Sequence, residues 1–354
     1  MPHAKAIILG PTPPPYGGVA VFVSALYRSA RSRGVKLWTF SDEQTKDDRV
    51  RYLKPFRLEL LPSLIRDAFK ARVIDNSYFA IEYPHKIFVP LWILGNLLLR
   101  FEWVKVFLDG SLPFRYPGFG RIQRLLFHSA IKSVTEFVVV NEELKLWLLN
   151  EIGVRQNVTI IPCLLPMSAT LDTSLPEHLD RAIARHAKQV CSIGIFIPAY
   201  GFKEAAEAVA RIRAESGDDI GLILIDGAYN NDDSYRRQVL EGRDWITVMT
   251  KLPRPLVLQV LKRSNVFVRP FGLESYGISR VEALWCGVPV VATRAGETRG
   301  MFLYDYGDQN GLIRQMKAAL LNSNQQEILH WSAVFQKEAE ENLRDLIKMI
   351  GIEV

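Results

Sequence analysis

Three cysteines in 354 residues, Cys163, Cys191 and Cys286, stand far apart in apolar surroundings. That spacing excludes a disulfide framework and a zinc site, and it fits reduced core thiols in the cytoplasm. Long uninterrupted apolar runs are missing too. The longest candidate, Val89 to Leu108, is broken by Pro90, Asn96, Arg100, Glu102 and Lys105. A spanning helix would bury several charges there, so a buried helix followed by a strand is expected. The apolar run after Met1 is too short for a secretory signal and leads into prolines, and it reads as a strand. No G-x-G-x-x-G follows that strand, which argues against an NAD site although Asp42 lies just after the second strand. Carboxylates and histidines show no metal-ligand spacing, so no metal is expected. Fixed-period repeats, low-complexity segments and nucleic-acid motifs are likewise absent.

What remains is an ordinary soluble composition, 48% hydrophobic and 23% charged, in a chain long enough for two cores. The net charge is +6, and much of the excess is early: Arg28, Arg31, Arg33 and Lys36, then Arg49, Arg51, Lys54 and Arg57. A basic first half suits phosphate-bearing ligands or the anionic surface of a bilayer.

Short continuous apolar runs alternate with helical patterns. Ala4 to Leu9, a helix over 19–33 stopped by Gly34, and Val35 to Phe40 make a βαβ opening. Further strands are expected at Val104 to Leu108, Phe137 to Val140 and Val158 to Ile161, giving a parallel sheet. Prolines and small residues from Pro162 to Lys188 suggest a linker, with a boundary near Pro166. A second βα series follows, with strands at Val190 to Ile195, Ile220 to Ile225, Ile246 to Met249, Val266 to Val268 and Pro289 to Ala292. The expected domains are therefore 1–166 and 167–325, both doubly wound, with an amphipathic helix over 326–354 that packs back on the first.

Two stretches carry chemistry. In PTPPPYGG, Pro11 to Gly18, the glycines Gly17 and Gly18 open a helix and let a phosphate or sugar reach backbone N–H groups; a purely structural proline turn is the alternative. In RPFGLESYGISRVEALWCGVPVVAT, the strand delivers Arg269 to the carboxyl edge of the sheet, where ligands of open α/β sheets bind. Glu274 then falls in the loop and Glu282 in the first turns of the next helix. The N–H groups of Tyr276, Gly277 and Ile278 stand between them, which makes a seat for a diphosphate flanked by two hydroxyl acceptors. Helix capping by the acids is the structural alternative.

ESYGISRVE followed by ALWCGVPVVAT resembles the E-x7-E signature of retaining glycosyltransferases of family 4 (group 1), which have the GT-B fold of two Rossmann-like domains facing a central cleft. PPPYGG resembles the family's glycine loop and KVFLDGSLP its fourth-strand segment, so the likeness covers nearly the whole chain. It implies that Glu282 binds the ribose hydroxyls of a nucleotide donor and that Glu274 lies against the transferred sugar. There are departures. The family's G-R-L-x-x-x-K-G holds the donor diphosphate with an Arg and a Lys, where Ile195 and Tyr200 stand in GIFIPAYG. Neither can neutralise a leaving diphosphate; Lys203, Arg269 and Arg299 are the cations that could compensate. Asp109 occupies the place of a histidine near the reacting sugar, and an ionised carboxylate accepts hydrogen bonds without donating them. His85 and His128 match no family position and read as ordinary polar residues.

The resemblance implies a transferase that moves a sugar from a nucleotide diphosphate sugar to a polysaccharide, lipopolysaccharide or lipid-linked glycan with retention of configuration. Glu274 and Asp109 would be catalytic. Gly17, Gly18, Lys203, Arg269, Tyr276, Gly277, Ile278 and Glu282 would bind the donor, with hinge closure over the linker and no cofactor or metal. FRYPGFGRIQRLLFHSAIK, Phe114 to Lys132, mixes arginines and aromatics before an apolar face, which allows peripheral membrane contact at the inner face or, equally, a solvated basic helix. Two alternatives stay open: a non-catalytic GT-B subunit that binds a nucleotide or glycan, motivated by the missing cations, and a sugar-nucleotide epimerase on the same architecture.

Overall fold

The computed structural model describes residues 6–14, 17–41, 47–53, 61–69, 71–76, 88–99, 101–108, 110–166, 174–227, 231–321 and 324–351. Two compact units divide the chain, Met1–Leu165 with Ala339–Val354, and Pro166–Glu338.

The first unit runs β1 (Ala6–Gly10), α1 (Gly18–Ala30), β2 (Val35–Thr39), β3 (Val50–Tyr52), α2 (Leu61–Phe69) and β4 (Arg72–Asp75). It continues through α3 (Phe88–Leu99), β5 (Trp103–Phe107), α4 (Leu112–Arg115), α5 (Arg121–Ser133), β6 (Glu136–Val139), α6 (Glu142–Leu146) and β7 (Asn157–Ile160). The strands form one parallel sheet in the order β3-β2-β1-β4-β5-β6-β7. β1 is buried along its whole length, as a parallel strand covered on both faces must be. It ends at Gly10 because α1 and β4 close in there: a Cβ would stand 2.9 Å from Val23 Cγ2 and 3.2 Å from the Cβ of Asn76.

The second unit repeats the plan with α7 (Glu177–Ile183), β8 (Lys188–Gly194), α8 (Phe202–Ser216), β9 (Ile220–Asp226), α9 (Asp233–Leu240) and β10 (Ile246–Thr250). α10 (Arg254–Lys262), β11 (Val266–Arg269), α11 (Ile278–Trp285), β12 (Val290–Thr293), β13 (Phe302–Tyr304) and α12 (Gln309–Leu321) follow. The order β10-β9-β8-β11-β12-β13 is again all parallel and reverses direction between β8 and β11. That reversal is the switch point at which doubly wound sheets open a crevice at their carboxyl edge. α8 buries Phe202, Ala205, Ala206, Val209 and Ile212 at helical spacing against β9, all seven residues of which are buried.

The last helix, α13 (Gln325–Met349), belongs to the second unit as far as Glu338 and to the first from Ala339. Its early turns are tied to the second unit where the Trp285 Nε1–H donates to Ser332 O at 3.2 Å, and where Gly300 leaves room for Trp331. Its later turns are tied to the first, the Asn342 side-chain amide donating to Leu164 O at 3.1 Å.

Three strands were not expected from the sequence: β4, central and paired with β1, and the edge strands β3 and β13. β3 and β13 are three residues long, too short to show a period. β4, Arg-Val-Ile-Asp, hides behind its charges. Asp75 is fully buried, accepts from Trp103 Nε1 at 3.1 Å and stands 3.7 Å from the buried Lys105. The buried helix expected within 89–108 is α3, and among its described side chains Ile93 and Asn96 are buried whereas Leu94, Leu97 and Leu98 are each more than half exposed. Cys163 and Cys191 are core thiols, whereas Cys286 is only partly buried.

Candidate functional site

Arg269 is the last residue of β11, at the switch point, and its guanidinium organises the loop that follows. Nε donates to Glu274 Oε2 at 2.8 Å, and Nη1 donates to Ile193 O on the neighbouring strand β8. The same group lies over the rings of Tyr200 and Phe271, at 4.8 and 5.0 Å, and those rings stack on each other at 4.8 Å. Glu274 and Arg269 are thereby locked together, with little of either side chain exposed.

A second guanidinium supports the first. Arg280 is fully buried in α11, and its Nη1 donates to the carbonyls of Thr293, Ala295 and Glu297. Its Nη2 donates to Thr293 Oγ1 at 3.1 Å, and the Thr293 hydroxyl donates to Phe271 O at 2.6 Å, so the end of β12 and the loop after it are held against the loop after β11. Burial opposes the charge of Glu274, but Arg269 and then Arg280 outweigh it and hold its pKa below the usual glutamate range. Burial pulls Arg280 down to about 10, against the raising pull of Glu274. Gly277 begins α11 at φ 90, where a Cβ would stand 2.9 Å from Arg280 Cδ and 3.1 Å from Glu274 Cγ. Only glycine satisfies both the left-handed backbone and that closeness. Tyr276, just before it, is buried and accepts the Glu297 N–H on its carbonyl at 2.8 Å.

Glu282 lies in the second turn of α11 and is 6% exposed. Arg254, the first residue of α10, places Nη2 2.7 Å from its Oε1, an ion pair by distance. The angle does not make a hydrogen bond: neither Glu282 Oε1 nor Arg254 Nε has a hydrogen-bond partner among the described residues. A carboxylate oxygen has two acceptor directions, so Oε1 keeps acceptor capacity beside its Arg254 contact. Beside it, burial and then the Glu282 charge push the Cys286 thiol up to about 12.

The segment expected to hold a diphosphate is apolar. Ile195 is buried, and the Tyr200 ring presses on Gly194, where a Cβ would collide with it. Lys203, in the first turn of α8, is half exposed and stands 3.8 Å from Glu207. Its helix follows Gly201, φ 69, which lies against Pro270 just beyond β11, so Lys203 is two residues from a contact with the Arg269 loop. Arg299 does not offer a spare cation. Its charge is matched by Glu297 and Glu338, each at 2.7 Å, and it stacks over Trp331 and Phe335.

The second unit therefore brings Arg269, Glu274, Tyr276, Gly277, Ile278 and Glu282 to one loop and helix start. Gly17 and Gly18 belong to the first unit: Gly17 precedes α1 in extended backbone and Gly18 is its first residue. Asp109, Asp42 and His85 lie outside the described residues. His128 packs edge-on against Tyr116 and Phe127 and shares a 2.9 Å hydrogen bond with the Tyr116 hydroxyl. Among the described residues no three His, Cys, Asp or Glu side chains are grouped to hold a metal ion.

Arg280 and Arg254 escaped the sequence reading. Arg280 was visible, a cation inside the motif segment on the face that carries Val281 and Leu284 inward. Arg254 sits in a different βα unit, and only the fold brings it to Glu282.

Residues 178–329, inside the second unit, match the family model described as glycosyl transferases group 1. No curated protein sequence matches the chain. Among solved structures the chain is similar to HepE of Anabaena in complex with UDP and glucose, with TM-score 0.76 and 14% identity over 99% of this chain and 100% of that one. Sucrose-phosphate synthase of Thermosynechococcus elongatus matches with TM-score 0.64 and 17% identity over 98% and 96%. A UDP-forming α,α-trehalose-phosphate synthase of Burkholderia xenovorans matches with TM-score 0.73 and 13% identity over 98% and 98%. These likenesses establish the fold, the two Rossmann-like α/β units of GT-B, and the second unit carries the group 1 glycosyltransferase match.

Proposed function

We propose that this chain is a glycosyltransferase that moves a hexosyl group from a nucleoside diphosphate sugar to a polysaccharide, lipopolysaccharide or lipid-linked glycan of the cell envelope, with retention of configuration and without a metal. The observation that carries the reading is Glu282, a carboxylate buried one turn inside a helix whose N-terminus lies at the sheet's switch point, ion-paired with Arg254 through Oε1 and making no hydrogen bond there among the described residues. A buried carboxylate with acceptor capacity left over from one ion pair is complementary to a sugar hydroxyl, and the ribose of the donor supplies one.

The rest follows from charge. The first N–H groups of α11 have no carbonyl of their own helix to meet, and the helix dipole favours an anion there. The diphosphate sits at Tyr276, Gly277 and Ile278, with Arg269 and Lys203 as its cations, and Glu274 lies against the sugar. The C1–O bond to the diphosphate breaks with its electron pair leaving on the diphosphate. The acceptor hydroxyl oxygen bonds C1, and its proton passes to the oxygen of the departing diphosphate. Gly17, Gly18 and Asp109 are the first unit's part in the reading. The protein works in the cytoplasm, in peripheral contact with the inner face of the membrane.

UDP and its sugars head the list of donors to try, since HepE is described in complex with UDP and the trehalose-phosphate synthase as UDP-forming. Release of nucleoside diphosphate from a panel of sugar nucleotides, with a cell-envelope glycan extract as acceptor, tests the reading. It expects turnover with at least one donor, lost in Glu282→Ala. One observation favours a second reading, a non-catalytic nucleotide-binding subunit: Ile195 and Tyr200 are apolar and packed, and Arg269 already carries the Glu274 carboxylate. Binding of a nucleotide without turnover of any donor would establish that reading instead.

A further inference from the structure

α3 is a helix of twelve residues with no charge and a single amide side chain, Asn96, which is buried and donates to Phe101 O at 3.1 Å. A helix so uniformly apolar is normally buried all round. Here it is not, because Leu94, Leu97 and Leu98, one stripe at i, i+3 and i+4, are each more than half exposed. At about 1.5 Å per residue it is also far too short to cross a bilayer core of about 30 Å. No helix among the described residues is long and apolar enough to do so.

The neighbouring helix continues the pattern. α3 packs on α5. α5 buries Phe127, Ala130 and Ile131 beneath it and exposes Ile122 and Leu125 one turn apart on its outer side, Ile122 at 74%. Phe114, just before, is also more than half exposed. Adjacent exposed stripes of this size are unusual on a soluble surface and mark a site of contact.

Charge says what covers it. From Gly110 to Thr135 the chain carries Arg115, Arg121, Arg124 and Lys132 and no carboxylate. Arg121 and Arg124 are exposed beside Ile122 and Leu125 on the same turns of α5, and Lys132 is exposed at its far end. Arg124 is held in place by donating to the carbonyls of Pro117 and Phe119, and it lies over the Tyr116 ring. Cations flanking apolar side chains on one helix face, without a compensating acid, match a surface that offers phosphate outside and hydrocarbon beneath. A second copy of the same face would set these cations against each other.

We infer that the outer face of α3 and α5, with Leu94, Leu97, Leu98, Ile122 and Leu125 as its apolar contact and Arg121, Arg124 and Lys132 as its charges, docks on an anionic lipid bilayer. The inference gives the peripheral contact proposed above a definite face and rests on that part of the reading alone. Vesicle binding is read without substrate, so its failure and a failure of the transferase reading are separate results.

The test is sedimentation of the full chain with vesicles of phosphatidylcholine containing phosphatidylglycerol, against vesicles of phosphatidylcholine alone. Binding to the anionic vesicles is expected, weakening as salt is raised. Arg121→Gln with Arg124→Gln is expected to weaken it by about fivefold per cation removed, and Ile122→Ser with Leu125→Ser to weaken it at low salt as well. These positions are exposed, so melting temperatures should stay near the parent's; if the Ile122 and Leu125 pair fails to fold, Leu97→Ser with Leu98→Ser takes its place. Absence of anionic-vesicle binding, or binding unchanged by both pairs, overturns the inference. So does a dimer in sedimentation velocity that the apolar pair dissociates, because the face would then belong to a second copy.

Discussion

Glu282 forms a buried ion pair with Arg254, and its loss should show in nucleotide binding beyond whatever the broken pair costs the fold. Glu282→Gln keeps the shape and removes the charge-assisted bond, which is worth about 1.5–3 kcal/mol, or roughly 10- to 100-fold in nucleotide affinity. Its neighbour offers an independent readout. Cys286 is partly exposed, yet burial and the Glu282 charge raise its thiol to about 12. Alkylation of Cys286, followed by mass spectrometry, should therefore be slow at neutral pH and faster in Glu282→Gln, where the repelling charge is gone. Equal rates would show that burial alone sets the thiol.

Glu274 behaves differently, because its partners are already in place. Its folded pKa lies below its unfolded value, so its contribution to stability is present above the unfolded value, near 4.3 for an ordinary glutamate, and fades as pH falls through the lowered folded value. Urea denaturation of wild type and Glu274→Gln should show a gap that is constant at neutral pH and closes in acid. The variant leaves Arg269 and Arg280 facing a neutral amide, and breaking such a buried pair costs about 3–5 kcal/mol. A gap that persists to the lowest pH would mean that packing, not charge, holds the loop.

Elements set these side chains through a few close approaches. Gly201 precedes α8 at φ 69 against Pro270, the residue after Arg269. Gly201→Ala adds left-handed strain of about 1–3 kcal/mol and a collision, so a lowered melting temperature with a changed response to nucleotide is expected. An unshifted melting temperature would mean that the two segments are not in firm contact. Most of this layer was legible in the sequence. Strands such as Ile220–Asp226, seven apolar or terminal residues in a row, announce a covered parallel sheet, and the loop-to-helix turn at Gly277 was visible from its glycine and its acids. β4 was not, since its buried Asp75 is stabilised by Trp103 and Lys105 from a neighbouring strand, and no local pattern carries that information. The exposed stripe of α3 escaped for the opposite reason: its composition asks for burial, and only the packing shows which side is left out. Arg254 and Arg299 were likewise decided by partners distant in sequence, Glu282 for one and Glu338 for the other.

At the scale of the whole molecule, the second unit holds the E-x7-E stretch on a rigid sheet edge, while the first carries the basic, apolar outer face of α3 and α5. Nucleotide that binds only the folded state should raise the melting temperature by mass action, about 2.7 kcal/mol when free ligand is a hundred times its Kd. The measurement that bears most directly on the account is titration calorimetry of UDP and the other nucleoside diphosphates into wild type and Glu282→Gln. The account predicts that the wild type binds at least one of them and that the variant binds the same one roughly 10- to 100-fold more weakly. Binding of none, or equal affinity in the two proteins, would contradict it.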